Sequence, residues 1–243
     1  MRKSPRNLKF VTRTVIAVST LAVLQTAPFT VGSSLADCSV TAGPEIDWQG
    51  CRKSSLVMTG TDFRGSNMSR ADFSSSDLGD AVFDESDLTK TNLVRASLRN
   101  STAQNAQFAG AIAYRTNFSG GNFSGSNFEK AEVIRANFEN AVLENTNMSK
   151  GELSRVNFTG AKIGFVTFDY SNLARSDFRK SEISGPISMK GSFLFQTRLD
   201  GVDLSSVDGL AQWQLDIACG DADTKLPEGM TAPASWPCAE EAD

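Results

Sequence analysis

The 243-residue chain has no histidine, and that one absence removes several chemistries at once. Ser-His-Asp and Cys-His nucleophilic catalysis, His-ligated zinc and histidine-based pH switching all need an imidazole. The four cysteines contain no C-x2-C pair, so a four-cysteine metal site has no sequence support. No Gly-rich phosphate loop stands between a strand and a helix. Tyrosine is scarce at 2 residues while phenylalanine reaches 16, so the aromatic content is mostly apolar rings. With 40% hydrophobic and 21% charged residues, the chain is neither disordered nor membrane-embedded, and it is long enough to bury a core.

Acidic residues are missing from the first 36 positions, which carry Arg2, Lys3, Arg6, Lys9 and Arg13. The apolar run Val15–Leu24 follows, then Ser34-Leu35-Ala36. That order is the n-region, h-region and small-residue cleavage pattern of a secretory signal peptide. The apolar run is about half the ~20 residues of a membrane span. Cleavage is expected after Ala36, with an exported destination, periplasmic or extracellular, where disulfides persist. Asp37 before Cys38 is not the small residue that lipoprotein processing needs.

Read in fives, the rest of the chain becomes regular. Of the 28 positions spaced five apart from Met58 to Phe193, 25 are large and apolar, the exceptions being Ala103, Ala113 and Ser188. Two residues before each stands a small one, as in Thr61, Ser66, Ala71, Ser76 and Ala81, with Leu56, Val156, Val166 and Pro186 departing. The position between is mostly Asp or Asn. A period of five matches neither a helix at 3.6 nor a strand at 2.

The pattern resembles the pentapeptide repeat family, whose motif is A-(D/N)-L-x-x. Ala71-Asp72-Phe73-Ser74-Ser75 and Ala136-Asn137-Phe138-Glu139-Asn140 carry the likeness. The resemblance implies an all-β fold, a right-handed quadrilateral parallel β-helix with one pentapeptide per side and 20 residues per coil. The central large residue and the small one before it would point inward. Coils stacked at ~4.8 Å make seven coils a rod of roughly 34 Å. One coil cannot bury its own apolar side, so neighbours and end caps are obligatory. After Phe193 the pattern resumes one residue late at Thr197-Arg198-Leu199, which places a bulge near Leu194–Gln196.

On such a rod Cys38 and Cys51 lie at one end and Cys219 and Cys238 at the other. A disulfide needs Cα atoms within about 7 Å, so only the pairs Cys38–Cys51 and Cys219–Cys238 fit. Leu210, Trp213 and Ile217 stand at helical spacing, with Gly220 as a stop. A short C-terminal helix is therefore expected across the open end, with Trp213 and Trp236 as plugs. The segment Ala218-Cys219-Gly220-Asp221 with Trp236-Pro237-Cys238 resembles the tail of exported pentapeptide repeat proteins of Gram-negative bacteria. The expected organisation is a signal peptide at 1–36, an N-terminal disulfide cap at 37–57, the repeat at 58–204, and a helix with disulfide cap at 205–243.

Charge narrows the function. Beyond residue 36 the chain holds 19 bases and 28 acids, a poor balance for nucleic-acid binding. Residues 58–200 hold 16 of each sign, so the rod itself is neutral. Family members that protect DNA gyrase from quinolones are acidic rods resembling duplex DNA in charge. That topoisomerase-inhibitor reading is the alternative to a non-catalytic, structural or protein-interaction module without cofactor, metal or membrane span. The oligomeric state is not legible. The recurring Asp and Asn serve the repeat and are no sign of acid–base work.

One pattern exceeds the repeat. At 20 residues per coil, Arg95, Arg115, Arg135, Arg155 and Arg175 stack in a column, flanked by Val94, Tyr114, Ile134 and Ile112. A second corner carries Arg70, Lys90, Lys130, Lys150 and Lys190, interrupted at Gly110 and Tyr170. The Arg column is either a solvated face, balanced by Asp72, Glu132 and Glu152, or a binding face for an acidic or amphipathic protein.

Overall fold

The computed structural model describes Met1 and residues 36–239. The signal peptide expected at 1–36 thus lies outside the described residues except at its two ends. From Asp47 onward, parallel bridges join residues 20 apart: Asp47 to Asn67, Arg52 to Asp72, Val57 to Asp77 and Asp62 to Val82. Each pentapeptide contributes one bridge and one turn to a coil of a β-helix.

The turn explains the composition. Ser66 N–H donates to the Phe63 carbonyl at 3.1 Å, and Gly65 between them has φ 64°. The same left-handed conformation recurs at Arg70, Ser75, Asp80, Glu85 and so on, every fifth residue. A β-turn with its third residue at positive φ favours Gly or Asn there. The Asp or Asn before the large residue closes each turn from outside. Asp62 Oδ1 accepts the Arg64 N–H at 3.0 Å, and Asn92 Nδ2 donates to Asp72 Oδ1 of the preceding coil at 3.0 Å. These side chains hold turns and coils together.

Inside, rings of successive coils stack on one another. Phe108 and Phe128 have centroids 4.4 Å apart at 4°, and Phe158 and Phe178 are 4.7 Å apart at 21°. Neighbouring sides meet edge to face, as Phe118 and Phe123 do at 88°. Each fully buried ring contributes roughly 1.5–3 kcal/mol. The small slots accept Ser and Thr because a backbone carbonyl receives the hydroxyl. Ser86 Oγ donates to the Phe63 carbonyl and Thr116 Oγ1 to that of Leu93, both at 2.6 Å. Among the described residues, Ser181 Oγ is the one buried side-chain polar atom without such a partner.

Three expectations need correction. The coil begins before Met58: Trp48, 2% exposed, fills a large slot against Phe63, and Cys51 fills a small one. An indole and a sulfur satisfy the inward positions as well as Phe and Ala do.

The register slip also lies elsewhere. Strand β1 (Lys162–Ile163) pairs with β2 (Glu182–Ile183) 20 residues on, and β3 (Ile187–Ser188) pairs with β4 (Val207–Asp208). Between β2 and β3 one residue is inserted, so Thr167 bridges Ser188 and Asn172 bridges Phe193. The insertion falls at Ser184-Gly185-Pro186, where proline has no N–H for the ladder. Met189 and Leu194 therefore point inward in place of Ser188 and Phe193, and Phe193 is 47% exposed. Lys190 leaves the left-handed corner, which passes to Gly191.

The helix α1 (Gln212–Asp216) is five residues long, shorter than its apolar spacing suggested. Its buried residues are Gln214 and Leu215, and Trp213 stays 50% exposed rather than plugging the end. Little more than one turn of helix offers one inward patch. The Gln214 amide takes it, donating to the Met189 carbonyl at 2.9 Å and the Ser192 carbonyl at 2.8 Å. Trp236 Nε1 donates to the Ala218 carbonyl at 2.8 Å, and a Cβ on Gly220 would run into its ring. Gly220 thus makes room for an indole instead of ending the helix. Cys38 is bonded to Cys51 and Cys219 to Cys238, with Cα separations of 5.5 and 5.4 Å. No helix among the described residues is long and apolar enough to cross a membrane.

Candidate interaction face

The arginine column occupies the left-handed corner of five consecutive coils. Arg95, Arg115, Arg135, Arg155 and Arg175 have φ between 56° and 60°. Each donates its backbone N–H to the next coil: Arg95 to Tyr114, Arg115 to Ile134 and Arg135 to Ser154, all at 3.0 Å. Arg155 reaches the Ala174 carbonyl at 2.9 Å and Arg175 that of Phe195 at 2.8 Å. All five side chains are exposed. Arginine has no preference for positive φ, and a non-Gly residue held there costs about 1–3 kcal/mol. Turn chemistry alone would select Gly or Asn, which other corners carry at Asn100, Asn105, Gly120 and Gly125.

The acids beside the column are engaged by other groups. Glu132 accepts the Tyr114 hydroxyl, Asp72 accepts the Asn92 amide at 3.0 Å, and Glu152 accepts that of Asn172 at 3.0 Å. Tyr114 is pushed above the ordinary tyrosine range, first by its bond to Glu132 and then by desolvation. Among the described residues Arg95, Arg115, Arg135 and Arg155 make no ion pair. Arginines elsewhere do: Arg64 holds Asp62 and Arg179 holds Asp177, both at 2.6 Å. Like charges ~4.8 Å apart repel by about 1 kcal/mol per pair even in water.

Val94, Tyr114 and Ile134 point outward but are half-buried, and Ile112 is 38% exposed. Sequence reasoning missed the aromatic end of this face. The insertion at Pro186 turns Phe193 outward beside Phe195, 47% and 41% exposed, with rings 6.2 Å apart at 12°. The Arg175 guanidinium lies 5.9 Å from the Phe195 ring centre, and its Nε donates to Gln196 Oε1 at 2.8 Å. The signal was present: Ser192-x-Leu194 and Thr197-x-Leu199 already share the shifted register. Beyond Phe195 a cavity of about 800 Å3 opens between the last coils and the C-terminal cap, lined by Arg175, Arg179, Arg198, Asp216 and Ala239 among others.

The second basic corner is built differently. Glu129 lies 3.0 Å from Lys150 and 3.6 Å from Lys130, and it is held below the usual carboxylate range, chiefly by Lys150. Among the described residues no group of three or more His, Cys, Asp or Glu is placed to hold a metal.

A family profile described as pentapeptide repeats matches in eight copies, spread between residues 57 and 169. Among solved structures, the chain is similar to HetL, a pentapeptide repeat protein involved in heterocyst differentiation regulation in the cyanobacterium Nostoc sp. strain PCC 7120. The TM-score is 0.58 at 19% identity, covering 78% of this chain and 86% of HetL. A pentapeptide repeat protein of the Arabidopsis thaliana thylakoid lumen aligns at TM-score 0.30 and 24% identity, covering 47% of this chain and 74% of that one. QnrB1, a plasmid-mediated fluoroquinolone resistance protein, aligns at 0.39 and 18% identity, covering 75% and 92%. None of the curated proteins matches.

Proposed function

From the premise that the chain belongs to the pentapeptide repeat family, we propose that it is an exported, non-catalytic protein-interaction rod. Its working face on this reading is the arginine column. One observation carries the reading: four stacked arginines sit in strained left-handed corners without an ion pair, while the nearby acids bind Tyr114, Asn92 and Asn172. Planar guanidinium groups suit bidentate contact with carboxylates. Half-buried Val94, Tyr114 and Ile134, with Phe193 and Phe195 at the end, add the apolar area that accompanies arginine at protein interfaces. The partner is therefore a protein with an acidic, partly apolar surface. Two disulfides support an oxidising compartment, hence export. A coil region with 16 acids and 16 bases gives the DNA-mimic alternative no charge to work with.

The test is a matched pair of triple variants in capture experiments on the envelope fraction. Arg115, Arg135 and Arg155 changed together to Ser should leave thermal stability nearly unchanged and abolish capture. Wild-type capture should weaken with salt. The control changes Glu85, Asn105 and Asn145 to Ser, which occupy the same left-handed position on another corner. Equal capture by the two variants would make the column a solvated face.

A further inference from the structure

We propose that the side of the rod enclosed by its two basic corners seats an amphipathic α-helix of a partner protein, laid along the rod with its apolar stripe over that side and acidic residues on both flanks. The proposal rests on the reading of the arginine column as a recognition face and names the form of the partner. The two basic columns are adjacent corners. Residues 91–94 run from Lys90 to Arg95, residues 131–134 from Lys130 to Arg135, and residues 151–154 from Lys150 to Arg155, with every corner at left-handed φ. The other two corners carry mostly Gly, Asn and acids such as Asp80 and Glu85, with Lys180 their one base among the described residues. Glu129, which holds Lys150 and Lys130, stands on the neighbouring side, and one carboxylate leaves these two lysines with positive charge to spare. Lys90 makes no ion pair among the described residues.

The enclosed side carries a stripe of outward apolar residues. Asn92, Ile112, Glu132, Glu152, Asn172 and Phe193 follow one another along its middle through parallel bridges. Val94, Tyr114, Ile134, Ala174 and Phe195 stand beside the arginine corner. The C-terminal end is aromatic. Tyr170 takes the place of the lysine there, 58% exposed, and a Cβ on Gly191 would lie 2.9 Å from its ring, so the glycine makes room for it. From Asn92 to Phe193 is five coil steps, ~24 Å, the length of about 16 helical residues. A helical pitch of about 5.4 Å against ~4.8 Å per coil lets each helical turn meet one coil. Corners five residues apart stand at most about 17 Å from each other. A helix about 10–12 Å across therefore lies between them with a row of bases along each flank. An added strand would find nothing to pair with, because the backbone of each coil is already bridged to the next. A uniform polyanion would meet Glu132 and Glu152 in the middle of the side. A helix sets its uncharged stripe there, where Tyr114 and Asn172 already donate to those carboxylates.

Fluorescence anisotropy of the oxidised protein tests this with three labelled peptides of about 16 residues. One has leucines at helical spacing, glutamates on both flanks of that stripe and glutamines behind; the second is a scramble of the same composition; the third is polyglutamate. The amphipathic peptide should bind at least 10-fold more tightly than either control. It should also gain helical circular dichroism on binding, since so short a helix is marginal alone. Lys90→Gln/Lys130→Gln/Lys150→Gln and Arg115→Ser/Arg135→Ser/Arg155→Ser should each weaken binding at least 5-fold at unchanged melting temperature. Equal binding of the scramble or of polyglutamate would overturn the helix in favour of a polyanion-binding face. Binding untouched by both variants would place the peptide elsewhere and overturn the site. Binding weakened by the arginine variant alone would overturn the two-sided seat and leave the arginine column standing. Binding of no peptide overturns the helix as well; envelope capture that still needs Arg115, Arg135 and Arg155 would then keep the column as a recognition face.

Discussion

Phe118 and Phe138 stack one coil above the other, centroids 4.5 Å apart and planes 14° apart, and both are fully buried. Arg135, three residues before Phe138, is exposed at a corner. Phe138→Ala should cost about 3–5 kcal/mol, because the stack above and below keeps the cavity open. Arg135→Ala should stay within about 0.5 kcal/mol of wild type, since alanine meets the same left-handed strain. Chemical denaturation of both variants checks the pair. Comparable losses would contradict the five-residue register.

Gly121 holds a small inward slot for a steric reason. A Cβ there would lie 2.6 Å from the Phe123 ring and 3.0 Å from the Ser101 carbonyl. Neither neighbour is the loose end of a flexible side chain. Gly121→Ala should therefore destabilise by about 1–3 kcal/mol, although alanine fills the same slot at Ala81, Ala141 and Ala161. A melting temperature equal to wild type would mean that the ring moves aside freely.

The disulfides close local loops, with sequence separations of 13 and 19. Breaking Cys219–Cys238 with a double Cys→Ser change should cost roughly 3 kcal/mol, felt first in the cap. Peptide mapping of the mature protein should find both local pairs, no free thiol and Asp37 at the N-terminus. A Cys38–Cys238 link would contradict the rod.

The cap also carries an acid-sensitive contact. Lys225 Nζ lies 2.8 Å from Asp203, and with Ser205 it lowers the Asp203 carboxyl to about 2. A folded-state value below the unfolded one stabilises fully above about 3.9 and is lost as pH falls through the folded value. The melting-temperature gap between wild type and Asp203→Asn should be open at about pH 4 and closed near pH 2. Both partners are largely exposed, so added salt should narrow the gap as well. A gap independent of pH would contradict a carboxylate at Asp203 held ionised by Lys225 and Ser205.

The coil was legible in the sequence because each five-residue unit repeats the same local arrangement. A small and a large residue go in, an Asp or Asn ties the turn, and a left-handed corner follows, so 28 instances outweigh any single exception. The disulfide partners followed once the rod separated the chain's ends. Tertiary structure decided what has no repetition behind it. One inserted residue at Ser184–Pro186 moves the inward positions that follow by one, and only the lumen's demand for Met189 and Leu194 settles that Phe193 faces solvent beside Phe195. The helix lies on Gln214 rather than Trp213 because the open coil end presents carbonyls, which an amide satisfies and an indole ring face does not. The arginine column was visible as spacing, but its left-handed backbone and its lack of ion pairs at four of five positions belong to the folded chain alone. Both depend on which carboxylates the neighbouring coils bring within reach.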